Sequence, residues 1–507
     1  MGSKKELVGA SLVVTLWSAA SKISGLVRDA LVAFFLGTSG AADALYLAFQ
    51  LPNLFRRFYG DGAFSSVLVP QLSLLSDQDD RNAFLSRTFL VMGSVGVLLT
   101  FLTVCFANPL VTALFPGTVR EAATLAKVAT LLRFMSAYLF FVSLAMVCKG
   151  MFESAKIFSV SAATSLLFNL TVIIFLLFFR GFVADPSRAF AIGVAVGGAI
   201  QFFTHLFFLH RLSFRFTLKS KPPRSTGYFF QKAMPVMLTM GVFQLNMLVG
   251  RGAASFLPTG QVSSLDYASR IIEIVLGLAI LPLVATILPH VSQMVVSTDL
   301  KAAEALTRFS LKLITIVTIP ATVGLCLLSQ PIAALLFQRG QFGVNSTILT
   351  SDALFYFAIG LLFLGVFKVL AQVSFSFHDT DLPFRAAGFA FMVNLGCCIL
   401  LSGPMANEGI ALSATLGALV GTGVLIAGID RHLKILWGHI AGTFLRSTIA
   451  AAVMAGGIVL LQDHVTDKFS FLLLIVAGII LYALALSVLM MGEWKEIIAV
   501  VTGRRKP

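Results

Sequence analysis

SKISGLVRDALVAFFLG, residues 21 to 37, lies inside an apolar run that begins near Leu12 and yet holds Lys22, Arg28 and Asp29. In water such residues would carry no message. In hydrocarbon each charge costs roughly 2.5 to 3.5 kcal/mol at a helix centre even on the lenient insertion scale, so it faces a partner or a wet cavity. The stretch must therefore be read with the whole chain. Of 507 residues, 58% are hydrophobic and only 12% charged, and the mean hydropathy is +0.93. A soluble chain of this length needs far more polar surface. Apolar segments of about 20 residues, enough to cross a ~30 Å core at 1.5 Å per residue, recur from end to end. The sequence describes an all-α polytopic membrane protein.

The pattern predicts about 14 transmembrane helices, near 8–36, 40–76, 84–108, 127–152, 158–180, 187–211, 228–254, 264–296, 305–329, 350–376, 384–403, 408–432, 441–462 and 470–492. The second reads as a broken helix, interrupted by Pro52, Arg56, Arg57 and Gly60. The first resembles a secretory signal at its start, with Lys4 and Lys5 before an apolar core. The apolar run continues to Leu36, which favours a retained span.

Basic residues gather in alternate loops: Lys4 and Lys5; Arg81 and Arg87; Arg211, Arg215, Lys219, Lys221 and Arg224; Lys301 and Arg308; Arg431 and Lys434; Arg504, Arg505 and Lys506. The positive-inside rule then puts both termini in the cytoplasm. The net charge of +14 reports topology and contact with anionic membrane lipids, and argues against a nucleic-acid partner. Five scattered cysteines show no metal spacing and read as small apolar fillers.

No loop is long enough for a domain outside the membrane. Residues 212–227 form a basic cytoplasmic linker after an N-terminal six-helix lobe, 1–211; a second six-helix lobe covers 228–434, and 435–507 adds two helices and a basic tail. An internal echo supports the division. LVRDALVAFFLG (26–37), AADALYLAF (41–49) and SSVLVPQLS (65–73) are answered by LVGRGAASFLPTG (248–260), SSLDYASR (263–270) and ATILPHVS (285–292). Parallel repeats of six spans place a central cationic cavity between two lobes and suggest alternating access by rocking.

Three clusters carry the candidate chemistry. Lys22 and Asp29 are seven apart on one face of span 1, with Arg28 beside that stripe; the plainer reading is a structural salt bridge or snorkelling. QLPNLFRRFYGDGAFSSVLVP (50–70) brings Arg56, Arg57 and Asp61, and adjacent arginines point about 100° apart, so one of the two reaches a cavity. The segment alone does not say which. In LDYASRIIE, Asp266, Arg270 and Glu273 fall at i, i+4 and i+7, a stripe that faces protein or water; the plainer reading is a self-satisfying intrahelical network. Arg133, Lys149, Arg251 and Lys368 are single cations near spans, and Gln244, Asn246, Asn394 and Thr415 read better as interhelical hydrogen-bonding groups than as a sodium site. A cavity richer in cations than carboxylates suits an anionic substrate, because the arginine fork grips phosphate oxygens in pairs.

These segments, together with LFQRGQF (336–342), resemble the MurJ/MviN lipid II flippase family of the multidrug/oligosaccharidyl-lipid/polysaccharide exporter superfamily, most closely over 20–75 and 263–292. The resemblance implies flipping of lipid II, the undecaprenyl-pyrophosphate-linked disaccharide pentapeptide of peptidoglycan, from the cytoplasmic to the periplasmic leaflet of the bacterial inner membrane. It implies substrate-binding roles for Lys22, Arg28, Arg56 and Arg270, and a lipid-tail groove formed by spans 13 and 14. Asp29, Asp43, Asp61, Asp266 and Glu273 are the gating or ion-pair candidates, with Arg57, Arg251 and Lys368 secondary. The chain departs from the family's pattern at Lys22, where arginine is usual, at Ser269 for Asp, at Gln50 for Lys and at Asp61 for Glu.

No cofactor and no metal are expected; the energy source is the membrane potential, sodium or protons. Cell-wall synthesis or division proteins are candidate partners. The closest rival is export of another polyprenyl-linked glycan or a drug, for which a carboxylate-led cavity is the better match in the drug case. A membrane enzyme needs a placed base or metal, and the seven histidines stand singly. A purely structural scaffold would leave the buried cations unexplained.

Overall fold

The computed structural model describes residues 2–60, 63–75, 77–155, 157–183, 185–209, 212, 214–217, 245–465 and 467–489, and every regular element among them is helical. Asp61, Gln244, most of the basic linker and the basic tail lie outside the described residues. In chain order the helices are α1 (Gly2–Leu36), α2 (Gly40–Gly60), α3 (Ala63–Leu74), α4 (Gln78–Cys105), α5 (Ala107–Leu114), α6 (Ala122–Met135), α7 (Ala137–Ser154), α8 (Phe158–Ile174) and α9 (Pro186–Leu209). They continue with α10 (245–254), α11 (Gln261–Val275), α12 (Leu281–Val296), α13 (Leu300–Leu327), α14 (Ser329–Phe337), α15 (Val344–Ile359), α16 (Leu361–Ser376), α17 (Asp381–Ile429), α18 (Trp437–Leu461) and α19 (Lys468–Leu489). Among the described residues eight helices are long and apolar enough to cross a membrane, or nine if the bent pair α15 and α16 is one span.

Two compact units emerge from the packing: residues 1–266 with 337–346, and residues 267–336 with 347–507. In the first unit, α1 lies along α8, and α7 and α9 pack on each other. Small residues make these approaches close. A side chain at Gly193 or Gly197 of α9 would press on α8 at Val172 or Phe168, and one at Gly198 would meet the Tyr138 ring. Four-residue spacing of small residues is a common way for membrane helices to bring their backbones together. The helix α2 runs through Pro52 without a break and ends at Gly60, so the interruption expected in this span falls after the two arginines.

Two loops of the first unit answer each other. The turn after α5 docks on residues 255–258: Gly117 N–H donates to Ser255 Oγ at 3.0 Å, and Arg120 donates to the Phe256 carbonyl at 3.1 Å. Only glycine fits at 117, where a Cβ would lie 2.1 Å from the Ser255 carbonyl oxygen. The loop after α14 docks in the same manner on the turn between α1 and α2. Gln341 N–H donates to the Phe34 carbonyl at 2.9 Å, and Thr38 and Ser346 share a hydrogen bond of 2.7 Å. Here both contacting glycines, Gly37 and Gly340, have positive φ, which glycine adopts without a Cβ penalty. The docked turns, 34–40 and 255–260, belong to the stretches that echo each other in sequence.

In the second unit α17 holds a reversal. Ala406 has φ 49° and ψ −129°, and a helix ladder that reads as continuous is in fact two arms. Glycines on the second arm face the first in antiparallel order: Gly409 meets Leu401, Gly417 meets Ala390, Gly421 meets Ala386 and Gly428 meets Leu382. The reversal falls between the eleventh and twelfth spans read from the sequence. A second break bends α15 and α16 by 44° at Gly360. Carbonyls released there are recovered by hydroxyls: Thr415 donates to Tyr356 at 2.7 Å and Thr322 to Ala358 at 3.0 Å.

Proline creates a similar need in α13. Pro320 has no N–H, so the carbonyl four residues earlier, that of Ile316, loses its helical donor. Tyr482 of α19 supplies one, its buried hydroxyl donating at 2.8 Å. Around this bond α13, α18 and α19 form an apolar cluster that includes Ile319, Met454, Ile458, Leu474 and Leu486. Tyr482→Phe removes the donor and keeps the ring, leaving a buried acceptor unmet; thermal unfolding of the purified protein in detergent should show a loss of about 1 kcal/mol. An unchanged midpoint would mean that another donor reaches the Ile316 carbonyl.

Candidate functional site

The charged groups resolve into small, separately built constellations. The first lies on α1. Arg28 and Asp29 are 5% and 2% exposed, and the guanidinium donates from Nε (3.0 Å) and Nη2 (2.8 Å) to the same Asp29 oxygen, Oδ1. A third bond runs from Nη1 to Asn169 Oδ1 of α8 at 3.1 Å. Asn169 is itself oriented, because its Nδ2 donates to the Ser21 carbonyl and to Ser24 Oγ. Phe49 of α2 and Phe190 of α9 stand 5.5 and 5.7 Å from the guanidinium carbon and pack edge to face on each other. A guanidinium is weakly hydrated for a cation, and aromatic faces and fixed acceptors replace its water. Lys22, two turns before Asp29 on the same stripe, is half-buried.

A second constellation joins α2 to the start of α11. Asp43 accepts the Gly260 N–H at 2.6 Å, the Ser263 N–H at 2.8 Å and the Ser263 hydroxyl at 2.6 Å. The carboxylate of one helix thus caps the N-terminus of another, meeting orphan donors and the positive end of the helix dipole. One turn further along α11, Asp266 Oδ1 accepts from Arg251 of α10 at 3.0 Å and from Gln50 of α2 at 3.3 Å. The Arg251 side chain is 7% exposed and that of Asp266 15%, so the cation is as dry as Arg28 while its carboxylate is wetter than Asp29. Gln50 therefore touches the carboxylate that lies one turn before Arg270 on the same helix.

The remaining candidates stand in wetter places. Arg270 Nη1 meets Glu273 Oε2 at 2.8 Å, with the two side chains 26% and 28% exposed. Arg56 is half-buried and clasps Asn53 Oδ1 through Nε (3.1 Å) and Nη2 (2.8 Å), one turn back on α2. Arg57 points elsewhere, towards Met247 Sδ at 3.2 Å, beside a small cleft lined by Gln50, Asn53 and Leu248. The two arginines do part company, as adjacent positions on a helix require. Lys368 is half-buried on α16, and Asp61 lies outside the described residues. Arg133 is bound to the Val104 carbonyl and Asn108 near the end of α4. Among the described residues no three His, Cys, Asp or Glu side chains gather as a metal site.

Sequence reasoning named the charges and missed most of their partners. Asn169 is the only polar group in the stretch LLFNLTVII other than Thr171, and a lone amide in an apolar span is a legible sign of an interhelical bond. Phe49, Phe190, Ser263 and Asn53 gave no such signal, since phenylalanine and serine abound in this chain.

A family model described as "Lipid II flippase MurJ" matches residues 32–479. A protein of Treponema pallidum described as a probable lipid II flippase MurJ is 31% identical over 448 residues, covering 86% of this chain and 84% of that one. A solved structure of a lipid II flippase MurJ in an inward closed conformation superposes with a TM-score of 0.82 at 25% identity, over 96% of this chain and 100% of that one. An inward-facing multidrug MATE transporter shares the fold at 13% identity, with a TM-score of 0.69 over 83% of this chain and 95% of that one.

Substitutions at Arg28, Asp29 and Asp43 probe these arrangements. Asp29→Asn strips the counter-charge from a buried guanidinium and should cost about 3–5 kcal/mol in detergent unfolding, while Arg28→Met with Asp29→Asn should recover much of that loss. Equal losses in the single and double variants would show that the pair is not coupled. Asp43→Ala leaves two N–H groups at the start of α11 unmet and should cost about 1–2 kcal/mol; Asp43→Asn, which keeps an acceptor, should cost less by the same measurement.

Proposed function

Because this chain belongs to the lipid II flippase MurJ family, we propose that it carries lipid II across the bacterial cytoplasmic membrane for peptidoglycan synthesis, with both termini in the cytoplasm. It is a transporter rather than an enzyme. The reading rests on that membership, and the chemistry of the chain fits the cargo. An isolated charge taken from water into hydrocarbon costs tens of kcal/mol by Born estimates, so a pyrophosphate cannot cross unaccompanied. Membrane-embedded cations lower that cost while the polyprenyl tail stays in lipid.

Lys22, Arg56 and Arg270 are the cations we assign to first contact with the pyrophosphate, since each is half-buried where Arg28 is buried. Arg28 is held by Asp29, Asn169 and two aromatic rings, so it would reach the substrate only by exchanging a carboxylate for a phosphate. The same exchange is open to Arg270 and its partner Glu273. In this scheme each carboxylate holds a cation ready in the absence of substrate and takes it back on release. Asp43 acts differently. Its capping of α11 can be made or broken as a unit, which suits a contact formed in one of two alternating-access states.

The driving force we favour is the membrane potential. A negative interior pushes an anion outward, worth about 2.3 kcal/mol for each elementary charge per 100 mV. Coupling to sodium or protons would instead make export depend on those ions at fixed potential.

The deciding test is exposure of labelled lipid II at the periplasmic face of cells depleted of their own flippase and expressing this chain. Wild type should restore exposure, and Arg28→Ala and Arg270→Ala at matched membrane levels should each reduce it at least tenfold. A folded wild type that exposes none would overturn lipid II as cargo and leave another polyprenyl-linked glycan or a drug. Full exposure from Arg28→Ala would confine that arginine to holding α1, α2, α8 and α9 together.

A further inference from the structure

Away from the ion pairs, the first unit carries an open apolar groove of about 740 Å³ between α4 and α9, with α7 as its floor. Phe140 and Leu144 form the floor, Val97 and Phe101 one wall, and Phe202 and Leu206 the other. Glycine gives it depth: at Gly93 a Cβ would lie 3.3 Å from Leu144, and at Gly96 2.9 Å from the Phe140 backbone, so α4 sits directly against the floor. The volume falls in the range of small-molecule sites rather than of surface dimples.

The groove has one polar end, and it is built. Residues 214–217 lie across the start of α4, where Asn82 Oδ1 accepts the Arg215 N–H at 3.2 Å and Ser86 Oγ accepts the Thr217 N–H at 2.9 Å. Phe214 and Phe216 line this end of the groove, with the Phe214 ring tilted against Phe89 at 5.8 Å between centroids. Arg215 stands between them, exposed. Arg87, also exposed, occupies the same face of α4 as the wall, because 87, 90, 94, 98 and 101 follow helical spacing of three and four. Neither guanidinium has a hydrogen bond or ion pair among the described residues. From Phe89 to Phe101 the groove runs about 18 Å along the helix, close to the ~15 Å that one leaflet contributes to the hydrocarbon core.

We propose that this groove seats an acyl chain of an anionic phospholipid, with the lipid phosphate paired by Arg87 and Arg215. The depth suits a chain from a single leaflet, whereas an undecaprenyl tail is much longer. Two guanidinium forks at the headgroup end, unpaired among the described residues, favour a lipid with net negative charge over a zwitterionic one, since basic residues near the membrane surface attract anionic lipids and guanidinium binds phosphate oxygens in pairs. A bound lipid of this kind would also hold the segment that leads into the basic linker against α4.

Native mass spectrometry of the purified full chain tests the assignment, with phosphatidylglycerol and phosphatidylcholine of identical chains as probes. Wild type should retain phosphatidylglycerol preferentially, and Arg87→Ala and Arg215→Ala should each weaken that retention about fivefold while leaving phosphatidylcholine unchanged. Leu144→Trp, which fills the floor, should weaken both lipids, with thermal unfolding checking that each variant is folded. Equal retention of the two lipids by wild type, or a preference that survives both arginine substitutions, overturns the proposal. So does displacement of phosphatidylglycerol by undecaprenyl phosphate at equal concentration, which would give the groove to a prenyl chain. Retention indifferent to Leu144→Trp would place the lipid elsewhere and overturn it equally.

Discussion

Hydrocarbon offers no hydrogen bonds, and the rest of this structure follows from that. Every backbone group or charge that enters the bilayer must find its partner within the protein. The helices meet most of the demand, and the exceptions explain the architecture. Where Pro320 frees the Ile316 carbonyl, Tyr482 arrives from the last described helix. Where Gly360 breaks a span, Thr322 and Thr415 come from two neighbouring helices. A defect in one helix thus becomes an attachment point for another.

The same rule governs the charges. Arg28 is enclosed by groups from four helices, and Arg251 and Asp266 bring α10 and α11 to α2 through Gln50. Such pairs are poor sources of net stability, because desolvation offsets their attraction. They do fix which helices meet. For a carrier that must admit an anion, a cation already compensated by a carboxylate costs less to keep in the membrane than a bare one, and it can be released by competition.

Fold class was legible because it depends on bulk quantities, namely hydropathy, segment length and the distribution of lysine and arginine. The charged candidates were legible for a related reason, since an ionisable residue in an apolar run is rare enough to stand out. Partnership was not. That Asp43 would cap a helix more than two hundred residues away, or that Asn169 of α8 would hold Arg28 of α1, depends on which helices become neighbours, and no local spacing encodes it. The reversal at Ala406 shows an intermediate case: SGPMANEG signals a turn in sequence, while the helical ladder through it conceals one.

The exchange of loops around the two echoing turns bears on how the molecule is made. Residues 337–346 complete the first unit, yet they are synthesised only after 267–336, which belong to the second. At a translation rate of about 5–20 residues per second, the turn at Phe34 waits roughly 15 to 60 seconds for Gln341 while intervening spans are already inserting. During that interval its carbonyl lacks the Gln341 N–H that meets it in the folded chain. Maturation of the N-terminal half is therefore tied to emergence of the C-terminal half, and a nascent chain stalled between these points presents an unfinished surface that quality control can recognise.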